Sequence, residues 1–321
     1  MAKVSVVIPS FNHHKYLEQR ISSVFAQTYK DFECIIIDDA STDGSQEILK
    51  RYEGHPNLKL VFNAANSGNP FVQWNSGIRM AQGEYVWVAE SDDFTSPTFL
   101  EKLVALLDAH PNLGFACCQS WVVNESGDKI YLWTKQPGLF ISDRWSADFV
   151  ACGAEESVRF LYCGNTIPNA SAVLFRRDLY NQIGGADERL YYAGDFLLWT
   201  MMLKRFDMAY CAEPLNYFRC IHLGSQRFRA VRERPPIEEL ARVYDYILEN
   251  FPCSPADQDA AKDRLAETWL KHTLRMVLAC TPLRLDRGSY NFLRDYDERL
   301  TRRLFKLFLK LTARRLRIPA W

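Results

Sequence analysis

The chain has 321 residues, enough for two domains or for one large domain with an appendage. Hydrophobic residues make up 48%, which supplies a full core and excludes disorder as the default state. Lysine plus arginine and aspartate plus glutamate both number 39, a balance that argues against a chain-wide nucleic-acid binder. The nine cysteines form no Cys-x-x-Cys pair. That sets aside zinc and thioredoxin-like chemistry and suits free thiols in a reducing compartment. Met1-Ala2-Lys3 leads straight into the strand-like Val4–Ile8, so no secretory leader is expected. No apolar run reaches the ~18–20 residues that cross a bilayer, so a cytoplasmic location is expected.

The first hundred residues alternate strand and helix signals. Val4–Ile8 is a β-branched run, the mark of a strand buried on both faces. It ends at Pro9-Ser10-Phe11-Asn12, and Leu17, Ile21, Val24 and Phe25 then recur at helical spacing over Tyr16–Gln27. Cys34–Ile37 is a second strand ending in Asp38-Asp39, and Ser41–Gly44 caps a helix around Gln46–Tyr52. Leu58–Phe62 reads as a third strand, Phe71–Ala81 as a helix, and Tyr85–Ala89 as a strand running into Glu90-Ser91-Asp92-Asp93. Pro97 opens a helix to about His110.

From Gly114 the pattern is mixed. Strands are expected at Phe115–Val123, Lys129–Trp133 and Ser171–Phe175, with an amphipathic helix over Asp195–Lys204. Pro235-Pro236 punctuates the chain, and the segments Ile237–Glu249, Asp257–Cys280 and Asn291–Leu316 read as helices. Two regions follow: an α/β domain over residues 1–230 and a helical accessory region over residues 231–321.

Alternating strands and helices imply a mostly parallel sheet covered by helices, which binds ligands beyond the carboxyl ends of its strands. Ser10–Asn12, Asp38-Asp39 and Glu90–Asp93 all end strands, so they share one rim. A buried strand that delivers adjacent carboxylates there is costly unless a cation is present, and hard oxygen ligands suit Mg²⁺ or Mn²⁺. An acidic turn capping the helix after Pro97 would look the same. Asp38-Asp39 fits an acceptor of ribose or base hydrogen bonds, or equally an acidic helix start favoured by the dipole. The conjunction of both pairs on one rim favours a site.

This series of motifs resembles the family 2 glycosyltransferases of GT-A fold. It is carried by Val4–Asn12, Asp38–Ser45, Asn66–Gly68, Asn75–Ile78, Ala81–Tyr85 and Glu90–Asp93, and continues through Gly184–Glu188, Gly194–Trp199 and Tyr217–His222. It covers about residues 3–230. The resemblance implies a nucleotide-diphospho-sugar transferase fold with a nucleotide pocket lined by Pro9, Ser10 and Phe11. Asp39 would accept from the base, most often uracil, while Asn66 and Gly68 close over the nucleotide. Glu90-Ser91-Asp92 matches the Asp-x-Asp motif, with Asp92 binding Mn²⁺ or Mg²⁺ on the diphosphate and Asp93 a second candidate for that role. Asp195 matches the general base, and His222 a residue that reaches the metal or diphosphate. A helix-terminal carboxylate and a structural histidine are the plainer readings of these last two. Such an enzyme moves a sugar from a UDP-sugar to a glycan or lipid-linked acceptor with inversion.

Three positions depart from the family pattern. Glu90 replaces the usual first aspartate, Gly194 replaces the acidic residue that commonly precedes the base, and Trp74 stands where a basic residue often precedes Asn75. They bear on donor identity more than on activity.

Residues 300–321 carry seven lysines and arginines and no acidic residue, interleaved with leucine and phenylalanine at helical spacing. That composition suits a helix lying on an anionic membrane, and fits a nucleic-acid arm less well. A final helix packed on the domain with a solvated basic face is the alternative. Two other functions compete. A nucleotidyltransferase would show a Gly-rich phosphate loop early in the chain, yet Pro9–His14 has no glycine. A non-catalytic nucleotide-binding or membrane-associated scaffold would have lost a metal or base carboxylate, and both are present.

Overall fold

The computed structural model describes residues 2–135, 143–220, 236–278 and 286–315. By internal contacts the chain divides into two compact units, Met1–Ser157 with Asn165–Ile221 and Val158–Gly164 with His222–Trp321.

The first unit is built on one mixed sheet. Strand β1 (Val4–Ser10) is buried at every position because it pairs in parallel on one side with β2 (Phe32–Asp38). β3 (Leu58–Phe62) continues the sheet beyond β2, and β4 (Tyr85–Val88) lies parallel on the other side of β1. The order is β3-β2-β1-β4-β9-β6-β10-β5, where β5 is Phe94–Thr95, β6 Leu113–Val123, β9 Val173–Arg176 and β10 Asp207–Arg219. β9 is antiparallel to both β4 and β6, so those two run the same way, and β10 is parallel to β6. Two short strands pair at the periphery, β7 (Lys129–Leu132) on β6 and β8 (Phe149–Ala151) on β10. The mostly parallel sheet is therefore as expected.

Helix α1 (His14–Phe25) buries Leu17, Ile21 and Val24 completely, each worth ~1.5–3 kcal/mol. The short α2 (Ser45–Lys50) follows β2. α3 (Pro70–Met80) starts where the Asn69 side chain accepts from the Phe71 N–H, with Pro70 in the first turn. It lies close against β1: a Cβ added at Gly77 would sit 2.3 Å from Val7 Cγ1. α4 (Phe99–Ala109), α6 (Arg177–Gln182) and α7 (Gly194–Leu203) complete this unit, and α5 (Gly153–Cys163) begins in it and ends in the other.

Three expectations change. Helix α7 is not amphipathic: Phe196 to Thr200, Met202 and Leu203 are all buried, so the helix is enclosed on nearly every side. β10 is a strand absent from the expected set, and it runs through Pro214; register shifts on both sides of that proline accommodate it. The helix expected over Asn291–Leu316 is two, broken at Asp297.

The second unit contains α8 (Ile237–Asn250), α9 (Pro255–Leu278), α10 (Arg287–Tyr296) and α11 (Leu300–Arg315). The Asp297 carboxylate explains the break, accepting from the Arg299 N–H at 3.1 Å and from Arg303 Nε at 2.7 Å. Arg303 also pairs with Asp259 at 2.9 Å and with Asp263, tying α11 to α9. Leu300 and Leu307 turn inward with it. Arg302, Phe305, Lys306 and Leu309 are exposed, at the i, i+3, i+4, i+7 spacing of one helix face. No helix among the described residues is long and apolar enough to cross a membrane.

Candidate active site

Two of the rim loops are locked together by unusual backbone. Asn12 and Ala40, just past β1 and β2, adopt left-handed φ values of 53° and 60°. For Ala40 this costs ~1–2 kcal/mol. The Asn12 N–H donates to Ser41 Oγ at 2.9 Å, and Asn12 Oδ1 accepts from the Thr42 N–H at 2.8 Å.

The acidic pair divides its work. Asp38 Oδ2 accepts from the Ser41 N–H and from Gln46 Nε2, holding the turn into α2. Asp39 is buried, and its carboxylate accepts from Asn63 at 2.7 Å, Asn66 at 3.0 Å, Gln73 at 2.7 Å and both the N–H and hydroxyl of Ser67. Asn66 in turn accepts from the Gly68 N–H, and Gly68 has a left-handed φ of 72° that favours glycine. Ser10 lies opposite Asp38 in the β1–β2 register. Its buried hydroxyl has no hydrogen-bond partner among the described residues. Pro9 is buried and Phe11 partly exposed on the same strand end.

Helix α3 is where the separate stretches meet. Gln73 donates to Asp39, and the next residue, Trp74, donates its indole N–H to Glu90 Oε1 at 2.8 Å. Phe71, one turn earlier, lies against Gly194, the residue before Asp195. Asn75 bonds the backbone of Ala186 and the Glu188 carboxylate, fixing the segment that follows Gly184-Gly185. Asp195 sits partly exposed in the first turn of α7, and its Oδ1 accepts from the Phe196 N–H.

Beneath the Glu90–Asp93 turn lie two buried guanidinium groups. Arg20 Nε donates to the Glu90 carbonyl at 2.7 Å, and Arg219 Nε to the Asp92 carbonyl at 2.7 Å. Burial lowers the Arg20 pKa to about 10, against the pull of Asp93, Asp92 and Glu90. Asp93 is the counter-charge of Arg20. It accepts from Asn169 Nδ2 at 2.6 Å and from the Arg219 N–H at 2.8 Å, and lies 4.0 Å from Arg20. Burial, and then the Asp92 charge, push the Asp93 carboxyl up to about 7, while Arg20 pulls it down. The partly exposed Asp92 carboxylate receives no hydrogen bond among the described residues. Ser91 is buried, its hydroxyl 2.7 Å from His13 Nδ1. His222 lies outside the described residues.

A hard carboxylate oxygen at Asp92 suits Mg²⁺ or Mn²⁺. Among the described residues no group of three or more His, Cys, Asp or Glu side chains could hold a metal ion. A cation there would take its remaining ligands from phosphate and water, as Mg²⁺ commonly does.

Sequence reasoning passed over Arg20, Gln73, Asn169 and Arg219. Arg20 carries a readable signal, since it falls within the apolar stripe of Leu17, Ile21 and Val24. The partners of Arg219 and Asn169 lie far away along the chain and leave no local pattern.

Residues 5–184 match the family model for glycosyl transferase family 2. An uncharacterized glycosyltransferase of Nostoc sp. is 34% identical over 234 residues, 71% of this chain and 67% of that protein. Two poly(ribitol-phosphate) beta-N-acetylglucosaminyltransferases of Staphylococcus aureus match the chain over shorter stretches. TarS is 34% identical over 112 residues and TarP 43% identical over 107. These stretches cover 34% and 32% of this chain but only 20% and 32% of the relatives' own length. Among solved structures, S. aureus TarS 1-349 in complex with UDP-GlcNAc superposes with a TM-score of 0.67 at 19% identity, covering 99% of this chain and 93% of that one. The mannosyltransferase PcManGT from Pyrobaculum calidifontis, solved with GDP-Man and Mn²⁺, gives 0.56 at 17% identity, covering 96% and 86%. The fold is GT-A, and the chain belongs to glycosyl transferase family 2.

Proposed function

We propose that this glycosyltransferase moves a sugar from a nucleoside-diphosphate donor, a UDP-sugar, to a hydroxyl of a glycan or lipid-linked acceptor, with inversion at the anomeric carbon. The observation that carries the reading is α3: one helix start touches Asp39, Glu90 and the backbone that bears Asp195. The nucleoside would lie along Pro9, Ser10 and Phe11, under Asn66 and Gly68, with Ser10 Oγ an unfilled polar position. Asp39 would accept from the base, whose N–H must then take the place of one of the donors already on that carboxylate.

Asp92 would hold Mn²⁺ or Mg²⁺, with His222 as a further contact to metal or diphosphate. Asp93 fits that role less well, because both its oxygens are taken by Asn169 and Arg219. The cation, when bound, offsets charge on the departing nucleoside diphosphate. Asp195 takes the proton of the acceptor hydroxyl as that oxygen attacks, since a neutral alcohol is a poor nucleophile. A single in-line displacement opposite the leaving group inverts the anomeric centre.

Kinship supports the donor and acceptor classes: TarS was solved with UDP-GlcNAc, and TarS and TarP are named for a polymer acceptor. We further propose that α11 rests on an anionic membrane through Phe305, Phe308 and Leu309, with Arg302 and Lys306 beside them.

A thermal-shift screen of nucleotide sugars, with and without Mn²⁺, tests the donor reading, because ligands that bind the folded state raise its melting temperature. UDP-sugars with Mn²⁺ should give the largest rise, and Asp92→Ala should abolish the Mn²⁺-dependent part. Equal shifts in that variant and in wild type would sink the metal assignment.

A further inference from the structure

We infer that Trp74 is a positioning residue of the donor subsite, fixing the Glu90 carboxylate while its partner ring Phe71 seats the helix start that bears Asp195. The inference rests on the donor reading given above.

Trp74 is 2% exposed, and a buried indole N–H needs an acceptor. It has one in Glu90 Oε1 at 2.8 Å, a charge-assisted bond of the stronger kind. Glutamate has one more rotatable bond than aspartate, so a carboxylate on that longer arm needs a tether to hold a single orientation at the rim. The tether itself is fixed. α3 is capped by Asn69, bound to Asp39 through Gln73, and bound to the Ala186–Glu188 segment through Asn75.

The second contact runs the other way. Phe71 is 1% exposed and meets Trp74 edge-to-face, with centroids 5.0 Å apart and planes at 80°. A Cβ built at Gly194 would lie 2.4 Å from Phe71 Cε2 and 2.5 Å from Cζ. The ring therefore occupies the space that any side chain at 194 would need. Glu90, Trp74, Phe71 and Gly194 form one continuous packing unit between the donor carboxylate and the proposed base. The three departures noted in the sequence, at 74, 90 and 194, are thus one structural feature.

The test is a double-mutant cycle on the full chain, read as UDP affinity by calorimetry with MnCl₂ present. Trp74→Phe keeps an aromatic ring against Phe71 and removes the indole donor together with part of the ring system. It should weaken UDP about tenfold, the size expected of one charge-assisted hydrogen bond. Glu90→Met, which removes the acceptor, should weaken UDP at least as much, and the double variant should bind within about twofold of Glu90→Met alone. Should Trp74→Phe fail to fold, Glu90→Asp breaks the same contact from the other end and should give the same tenfold loss. Unchanged affinity in these single variants would overturn the inference. So would an undiminished effect of Trp74→Phe in the Glu90→Met background, because Trp74 would then act through the fold at large. A wild-type chain that takes up no UDP would remove the donor reading itself, and this inference with it.

Discussion

Replacing Arg219 by methionine isolates what holds the Asp92 turn in place. Arg219 is 3% exposed, and its guanidinium donates to the Asp92 carbonyl at 2.7 Å, the Asn124 and Glu125 carbonyls at 3.1 and 2.6 Å, and Gln19 Oε1 at 2.7 Å. It also lies 4.6 Å over the Tyr16 ring. Methionine keeps the apolar stem and supplies no donor. Hydrogen bonds to a charged group are worth ~1.5–3 kcal/mol each, and they do not add when they share one group. Relief of repulsion with Arg20 offsets part of the loss. The net cost should be ~3 kcal/mol, which for a domain of this size lowers the melting temperature by roughly 6–12 °C. Arg219→Lys keeps the charge but cannot span acceptors on three elements, so it should fall between wild type and methionine. The assay is a circular-dichroism melt of the three proteins at one concentration. A methionine variant melting within about 2 °C of wild type would refute the claim that Arg219 is what ties the turn, α1 and the β6–β7 hairpin together.

Asp195→Asn should keep donor affinity and remove transfer, as single-turnover kinetics on a competent acceptor would show; wild-type turnover would exclude the base role. In the helical unit, Arg303→Ala strands the nearly buried Asp297 and should cost on the order of 2 kcal/mol, with little from the exposed Asp259 and Asp263 pairs. Arg303 also holds the Asp259 carboxyl below the usual range, so that stabilisation is present above about pH 4 and lost as pH falls through the folded-state value. Urea midpoints from pH 5 to 2.5 should therefore fall less in Arg303→Ala than in wild type, and identical acid slopes would count against the pairing. Phe305→Asp on the exposed face of α11 should lower co-sedimentation with anionic liposomes several-fold without changing the melt, and undiminished co-sedimentation would argue against membrane docking there.

Most of the α/β half was legible because its strands are continuous β-branched runs and its helices keep one apolar stripe. β1 through β4 fall within two or three residues of where periodicity puts them. What was illegible has physical causes. β10 conceals thirteen residues of strand behind Glu213-Pro214, and only a bulged register on β6 lets that proline stay in the sheet. α7 looked amphipathic because Leu198, Met202 and Leu203 recur at helical spacing, yet Phe196, Leu197, Trp199 and Thr200 are buried as well. The break at Asp297 is invisible in composition, since it depends on a carboxylate that answers an arginine six residues later.

The candidate site shows a sharper limit. In sequence, Asp38, Asp39, Asp92 and Asp93 are two identical dipeptides, each after a buried strand. In the folded chain they separate by the number of donors that converge on them. Asp38 holds a turn, Asp39 gathers the loop before α3, Asp93 answers the buried Arg20 and accepts from Asn169, and Asp92 alone receives no hydrogen bond among the described residues on its carboxylate. The donors responsible stand up to 126 positions away, as Arg219 does from Asp93, so no spacing rule could have ranked the four. A carboxylate already saturated by protein donors has little capacity left for a cation. The proposed place for a metal on this rim rests on that accounting more than on the motif: among the described residues, Asp92 is the one of these four carboxylates that receives no protein donor.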